Sequence, residues 1–170
     1  MKRRTFLYAG AGAAALLAGA SLLRVRSMGP DAMAKTDETF EITKTEAEWK
    51  AQLSPEQYAV LREEATERAG TSPLNHEKRK GVFHCAGCDL AAYSSEAKYD
   101  SGTGWPSFWE SLPNAIGTKS DNTLFMTRTE VHCRRCGGHF GHIFDDGPPP
   151  TGKRHCLNGL ALTFRPAGAA

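Results

Sequence analysis

The sequence predicts a mostly β fold preceded by helices. Short runs of β-branched, aromatic or alternating residues recur after Gly70, as in Val82–Cys85, Leu124–Cys133 and Leu160–Phe164. Turn signals punctuate them at Asp100-Ser101-Gly102, Pro113-Asn114, Gly137-Gly138 and Gly147-Pro148-Pro149-Pro150. Upstream, one segment carries the marks of an amphipathic helix. With 170 residues, 40% of them hydrophobic, the chain fits one domain with a true core and a short appendage.

The appendage is N-terminal. Lys2, Arg3 and Arg4 precede an apolar run from Phe6 to Leu23, and Ala32-Met33-Ala34 offers a small-residue cleavage pattern. Residues 1–34 therefore read as an export signal, and Arg3-Arg4 followed by Phe6 and Leu7 resembles the twin-arginine type. The competing reading is an uncleaved membrane anchor, since the run just reaches spanning length. Both place the domain outside the cytoplasm, and the cleaved reading makes it an exported, periplasmic protein that meets the membrane only through its signal. Residues 35–43 are polar and read as a tether, leaving 44–170 as the working domain.

Removing the signal changes the charge. Five of the 21 Lys and Arg but only Asp31 among the 19 Asp and Glu fall before residue 35, which leaves 16 against 18, a balance of −2. The basic excess belongs to the signal, and nucleic acid is excluded as the expected partner.

An amphipathic helix starts at Ser54-Pro55-Glu56-Gln57, where Ser54 can cap, Pro55 suits the first helical position and Gln57 completes a capping box. Tyr58, Val60, Leu61 and Ala65 continue it with an apolar face, and a shorter helix is expected around Thr45–Leu53.

The five cysteines divide unequally. Cys85 and Cys88 form one C-x-x-C pair, Cys133 and Cys136 a second, and Cys156 stands alone. Two pairs match the stoichiometry of a closed tetrahedral zinc site, with small residues after each pair leaving backbone N–H groups free to face the thiolates. A site of this kind, made across residues 89–132, would tie two distant segments together. Disulfides are the alternative in an oxidising compartment. A redox C-x-x-C is a third, although neither pair opens a helix after a parallel strand. Twin-arginine export, which carries folded proteins, favours a metal loaded before crossing.

A lone cysteine is most often a small buried hydrophobe. Its flanks argue otherwise here: in Arg154-His155-Cys156-Leu157-Asn158, strand alternation puts Arg154 and Asn158 on the sulfur's side, a fixed charge and a neutral donor. Upstream, His139 and His142 could be catalytic groups, metal ligands or ordinary surface residues, and Trp105 could be core or binding site.

Taken together these segments resemble the methionine-R-sulfoxide reductases of the B type. The resemblance runs from Ser54 to Phe164 and rests on Asn75–Gly81, Cys85–Cys88, Lys98–Phe108, Arg128–Val131, Gly138–Gly147 and Arg154–Asn158. It implies a small fold of two antiparallel β-sheets with N-terminal peripheral helices, tied by a structural zinc on Cys85, Cys88, Cys133 and Cys136. It further implies Cys156 as nucleophile, assisted by His139, His142, Arg154 and Asn158. Trp105 would hold the substrate methyl, with Phe144 and Asp146 also at the substrate.

The implied reaction is attack of the Cys156 thiolate on the sulfoxide sulfur with His142 and His139 as acid, leaving methionine and a Cys156 sulfenic acid. Oxidised proteins are the implied substrate. Many relatives carry a resolving cysteine where this chain has Thr103, so an external thiol donor such as a thioredoxin-like protein is expected to regenerate Cys156. Smaller departures are His155 for an aromatic residue, Gly159 for Ser and Ala65 for Gly. A thiol peroxidase and a non-catalytic zinc-binding module are the alternative functions.

Overall fold

In the computed structural model, residues 39–123 and 126–168 are described. Residues 1–34, expected to be an export signal, lie outside them. Two short helices come first: α1 (Glu46–Gln52) starts at a Thr45–Glu48 capping box, and α2 (Pro55–Glu63) at the expected Ser54–Gln57 box with Pro55 in the first turn. The sequence reading carried α2 through Ala65, but the helix stops at Glu63. Glu64 turns left-handed at φ 57°, and the Ala65 N–H closes back on Ala59 O at 3.0 Å, a terminating motif made without glycine.

Among the described residues nine strands follow, in two antiparallel sheets. The first has the order β2-β1-β9, built from β1 (Gly81–Cys85), β2 (Ala91–Ser94) and β9 (Leu162–Pro166). The second comprises β3 (Lys98–Tyr99), β4 (Ser107–Phe108), β5 (Ile116–Asp121), β6 (Arg128–Cys133), β7 (His139–Phe144) and β8 (Arg154–Leu157), ordered β3-β4-β8-β7-β6-β5. The expectation of a mostly β body with peripheral helices is borne out.

Two strand boundaries differ from the sequence reading. The strand expected from Leu124 begins at Arg128, and Leu124 and Phe125 lie outside the described residues. The strand expected from Leu160 begins at Leu162, because Gly159–Ala161 forms a 3-10 turn whose first two N–H groups bond the Glu67 carboxylate. That bond is invisible to periodicity. Leu160 is therefore off the strand whose face it was expected to share.

The sheets meet through aromatic rings. Phe83 of β1 packs edge-on against Phe108 of β4 at 5.0 Å between centroids, and Tyr93 of β2 lies 4.7 Å from the same ring. All three are fully buried, and each side chain contributes roughly 1.5–3 kcal/mol by leaving water. The layer fixes where β4 and its neighbour β8 sit.

The helices brace the cysteine turns. Arg62 of α2 donates to Cys136 O at 2.9 Å, and Gln52 of α1 donates to Gly87 O at 2.6 Å. Within the stretch expected to be a tether, Ile42 N–H bonds Arg135 O and the Phe40 ring packs edge-on against His132.

Candidate active site and metal centre

The two C-x-x-C turns close in the same way. Asp89 N–H bonds Cys85 O and Gly137 N–H bonds Cys133 O, both at 2.8 Å, while Cys85 and Cys133 donate their own N–H groups to Leu90 O and Gly138 O. Asp89 and Gly137 take the left-handed conformation that each turn requires, at φ 62° and 69°. Cys85 ends β1 in one sheet and Cys133 ends β6 in the other, so the turns bring four sulfurs together across the sheet boundary.

All four sulfurs lie within 4.8 Å of one another, with Cys85–Cys136 at 3.7 Å and Cys88–Cys133 at 3.4 Å. A tetrahedron of Zn–S bonds places sulfurs roughly 3.8 Å apart, whereas a disulfide needs about 2.05 Å. The four residues fit a single metal ion, and all five cysteines are free thiols. Cys156 is not part of the cluster.

Cys156 sits on β8, a central strand of the larger sheet. Its cross-strand neighbours are Ser107 on β4 and His142 on β7. Alternation works as expected: His155 turns to the other face and bonds the buried Tyr93 hydroxyl through Nδ1 at 3.1 Å. Burial pushes the Cys156 thiol up, while the Thr103 hydroxyl and the Arg154 guanidinium draw it back down. Thr103 Oγ1 lies 3.9 Å from the sulfur and is itself bonded to Ser101, which bonds Ser107.

The sulfur opens into a cavity of about 150 Å³ whose walls include Trp105, Arg128, His142, Phe144 and Asn158. Trp105 is delivered by a tight crossing: Gly70 N–H bonds Gly104 O at 2.7 Å, and a Cβ on Gly104, at φ 91°, would come within 2.9 Å of Gly70 N. Only glycine serves there. The indole N–H then donates to Glu67 O at 3.0 Å.

His142 is oriented by a residue the sequence did not reveal. Its Nε2 meets Asp121 Oδ2 at 2.8 Å, and Arg128 holds the same oxygen at 2.6 Å. Asp121 lies far below the usual carboxylate range, chiefly through bonds from Thr123 and then from His142 and Arg128. An ionised carboxylate only accepts, so the shared proton belongs to His142 Nε2, and Nδ1 is the atom left to titrate. Burial lowers His142 below its ordinary value and the Asp121 bond opposes that.

His139 stands behind the cavity rather than in it. It is buried, its Nδ1 meets Glu130 Oε1 at 2.8 Å, and its ring lies edge-on to His142 at 5.5 Å. Burial holds it down to about 4, and Lys119 pairs with the other oxygen of Glu130 at 2.8 Å. Asp146 is also outside the cavity. It grips Arg154 bidentately at 2.8 and 2.9 Å, and the guanidinium stacks 4.4 Å from the centre of the Phe144 ring.

Asn158 lines the cavity, but both its amide atoms are engaged: Oδ1 accepts from Glu67 N–H at 2.9 Å and Nδ2 donates to Phe140 O at 3.1 Å. Of the residues expected at the site, Cys156, His142, Trp105, Phe144 and Asn158 meet at the cavity and Arg154 acts on the sulfur from beside it, whereas His139, expected to share the acid role, and Asp146, expected at the substrate, both lie outside the cavity. The sequence reading missed Asp121 and Glu67 altogether. Arg128 and Glu130 lay inside a quoted motif without a role.

Comparison with known proteins agrees with this arrangement. The SelR domain profile matches residues 53–166. A "Peptide methionine sulfoxide reductase MsrB" of Agrobacterium fabrum is 48% identical over 126 residues, covering 74% of this chain and 93% of that protein. Its namesake from Thiobacillus denitrificans is 52% identical over 72% of this chain and 94% of its own. The chloroplastic peptide methionine sulfoxide reductase B1 of Arabidopsis thaliana is 45% identical over 82% of this chain and 73% of its own. With the profile spanning most of the domain and such identities along it, the chain belongs to the SelR-domain family, the MsrB methionine sulfoxide reductases.

Proposed function

We propose that the protein reduces methionine-R-sulfoxide, chiefly protein-bound, to methionine, with Cys156 as the nucleophile. The observation that carries this reading is a lone thiol opening into a cavity walled by Trp105, Phe144 and a carboxylate-oriented histidine, in a chain of this family. The Cys156 thiolate attacks the sulfoxide sulfur while His142 Nδ1–H gives its proton to the sulfoxide oxygen. Oxygen passes to Cys156, the two electrons of the thiolate reduce the sulfoxide, and methionine leaves behind a sulfenic acid. Trp105 holds the S-methyl group. Arg154, fixed by Asp146, favours the thiolate, and His139 supports His142 from behind.

The cycle closes from outside. The other four thiols cluster together away from Cys156, so an external dithiol, thioredoxin-like in kind, attacks the sulfenic acid, releases water and leaves as its own disulfide. Zinc on Cys85, Cys88, Cys133 and Cys136 serves the fold, since four protein ligands leave no position for substrate.

Residues 1–34 serve as a twin-arginine-type export signal, and residues 35–43 lead into the domain. That reading rests on the sequence pattern and makes the enzyme periplasmic, where it repairs oxidised envelope proteins. The deciding experiment is turnover of the two epimers of a peptide methionine sulfoxide with dithiothreitol. Reduction of the R epimer alone is expected; equal turnover of both, or of neither, overturns the proposal.

A further inference from the structure

Glu67 is a buried carboxylate that the chemistry above does not use. It lies in irregular chain beyond α2, yet it meets the site in four places. Its N–H donates to Asn158 Oδ1 and its carbonyl accepts the Trp105 indole N–H, at 2.9 and 3.0 Å. Its carboxylate accepts from Gly159 N–H at 2.7 Å through one oxygen and from Leu160 N–H at 3.0 Å through the other.

These bonds divide the work between side chain and main chain. The carboxylate clamps residue 67 onto the turn that follows the nucleophile strand, with each oxygen assigned to one amide. The backbone of the same residue then holds two walls of the cavity, Trp105 and Asn158. The indole has a single donor, so this bond is what fixes its rotation by hydrogen bonding. We infer that Glu67 is a positioning residue, fixing the Trp105 indole and the Asn158 amide as one unit and so setting how closely the cavity fits the S-alkyl group. The inference rests on the proposed reduction of methionine-R-sulfoxide.

A glutamine here can satisfy one of the two amides but turns its own NH₂ toward the other. The residue 67 peptide then loses its fixed place, and with it the register between Trp105 and Asn158. The predicted consequence is a looser fit at the substrate sulfur rather than the loss of the nucleophile.

The test compares kcat/KM for the R-sulfoxides of methionine and ethionine, which differ by one methylene, in the full chain and in its Glu67→Gln and Glu67→Asp variants. A methylene in a shaped pocket changes kcat/KM by ~10–200-fold. The wild type should prefer the S-methyl substrate, and Glu67→Gln should shrink that preference at least about threefold, with Glu67→Asp in between. Partial unfolding lowers both rates equally and leaves their ratio unmoved, so a purely structural role predicts an unchanged preference and would overturn the inference. So would failure of both variants to give folded, zinc-loaded protein, which would assign Glu67 to the fold. A wild type that turns over neither sulfoxide overturns the proposed function itself, a result distinct from an unchanged ratio.

Discussion

Thr103 Oγ1 lies 3.9 Å from Cys156 Sγ, on the loop between β3 and β4. The position at which a resolving thiol would reach Cys156 is thus occupied by a hydroxyl, which can donate to a thiolate but cannot exchange with a sulfenic acid.

Thr103→Cys should therefore create the missing internal step. After one turnover without reductant, mass spectrometry should find a 103–156 disulfide in the variant and a trappable Cys156 sulfenic acid in the wild type. An internal disulfide in the wild type would contradict the external-reductant scheme.

Cys156→Ser should lower R-sulfoxide reduction at least ~10³-fold, since a group that acts within a catalytic unit is not replaced by the others. Zinc content should be unchanged, because the four-sulfur cluster excludes this residue. Steady-state kinetics and metal analysis on one preparation check both halves.

The pH profile follows from two opposed effects of burial. Cys156 is pushed up and must be ionised, whereas His142 is pushed down and must be protonated. The active pair is therefore a minor form of the singly protonated site, with activity falling below the His142 pKa and above that of Cys156. Asp121→Asn removes the bond that raises His142. Its acidic limb should move to lower pH, and its plateau should fall about tenfold for every pH unit the limb moves. An unmoved limb would show that His142 is not the acid.

Removing the metal should unfold the domain rather than merely silence it. The cluster joins the end of β1 in one sheet to the end of β6 in the other, and structural zinc in small domains contributes ~10–16 kcal/mol. Cys133→Ser, or a strong chelator with the wild type, should abolish the cooperative thermal transition seen by circular dichroism. About one zinc per chain is expected before treatment.

Several features of the fold are local enough to be legible in the sequence. The capping boxes at Thr45 and Ser54 are local hydrogen bonds between residues three apart, and the Ser54 box was identified from its residues alone. Alternation along Arg154–Leu157 placed Arg154 on the sulfur side and His155 on the other. Where a long-range bond overrides the local pattern, the reading fails: Leu160 has the spacing of a strand residue but is held in a turn by a carboxylate 93 positions earlier.

Ligand count, capping and periodicity are short-range properties, so the four-plus-one division of the cysteines, the helix starts and the mostly β body were legible in the chain of residues. The order of strands is not a local property. It sets β8 between β4 and β7, which brings Ser107 and His142 to Cys156. The folded chain likewise lets Asp121 orient His142 and lets Glu67 join Trp105 to Asn158. Those pairings are hydrogen bonds between groups far apart in sequence that the fold brings together, and no local spacing encodes them.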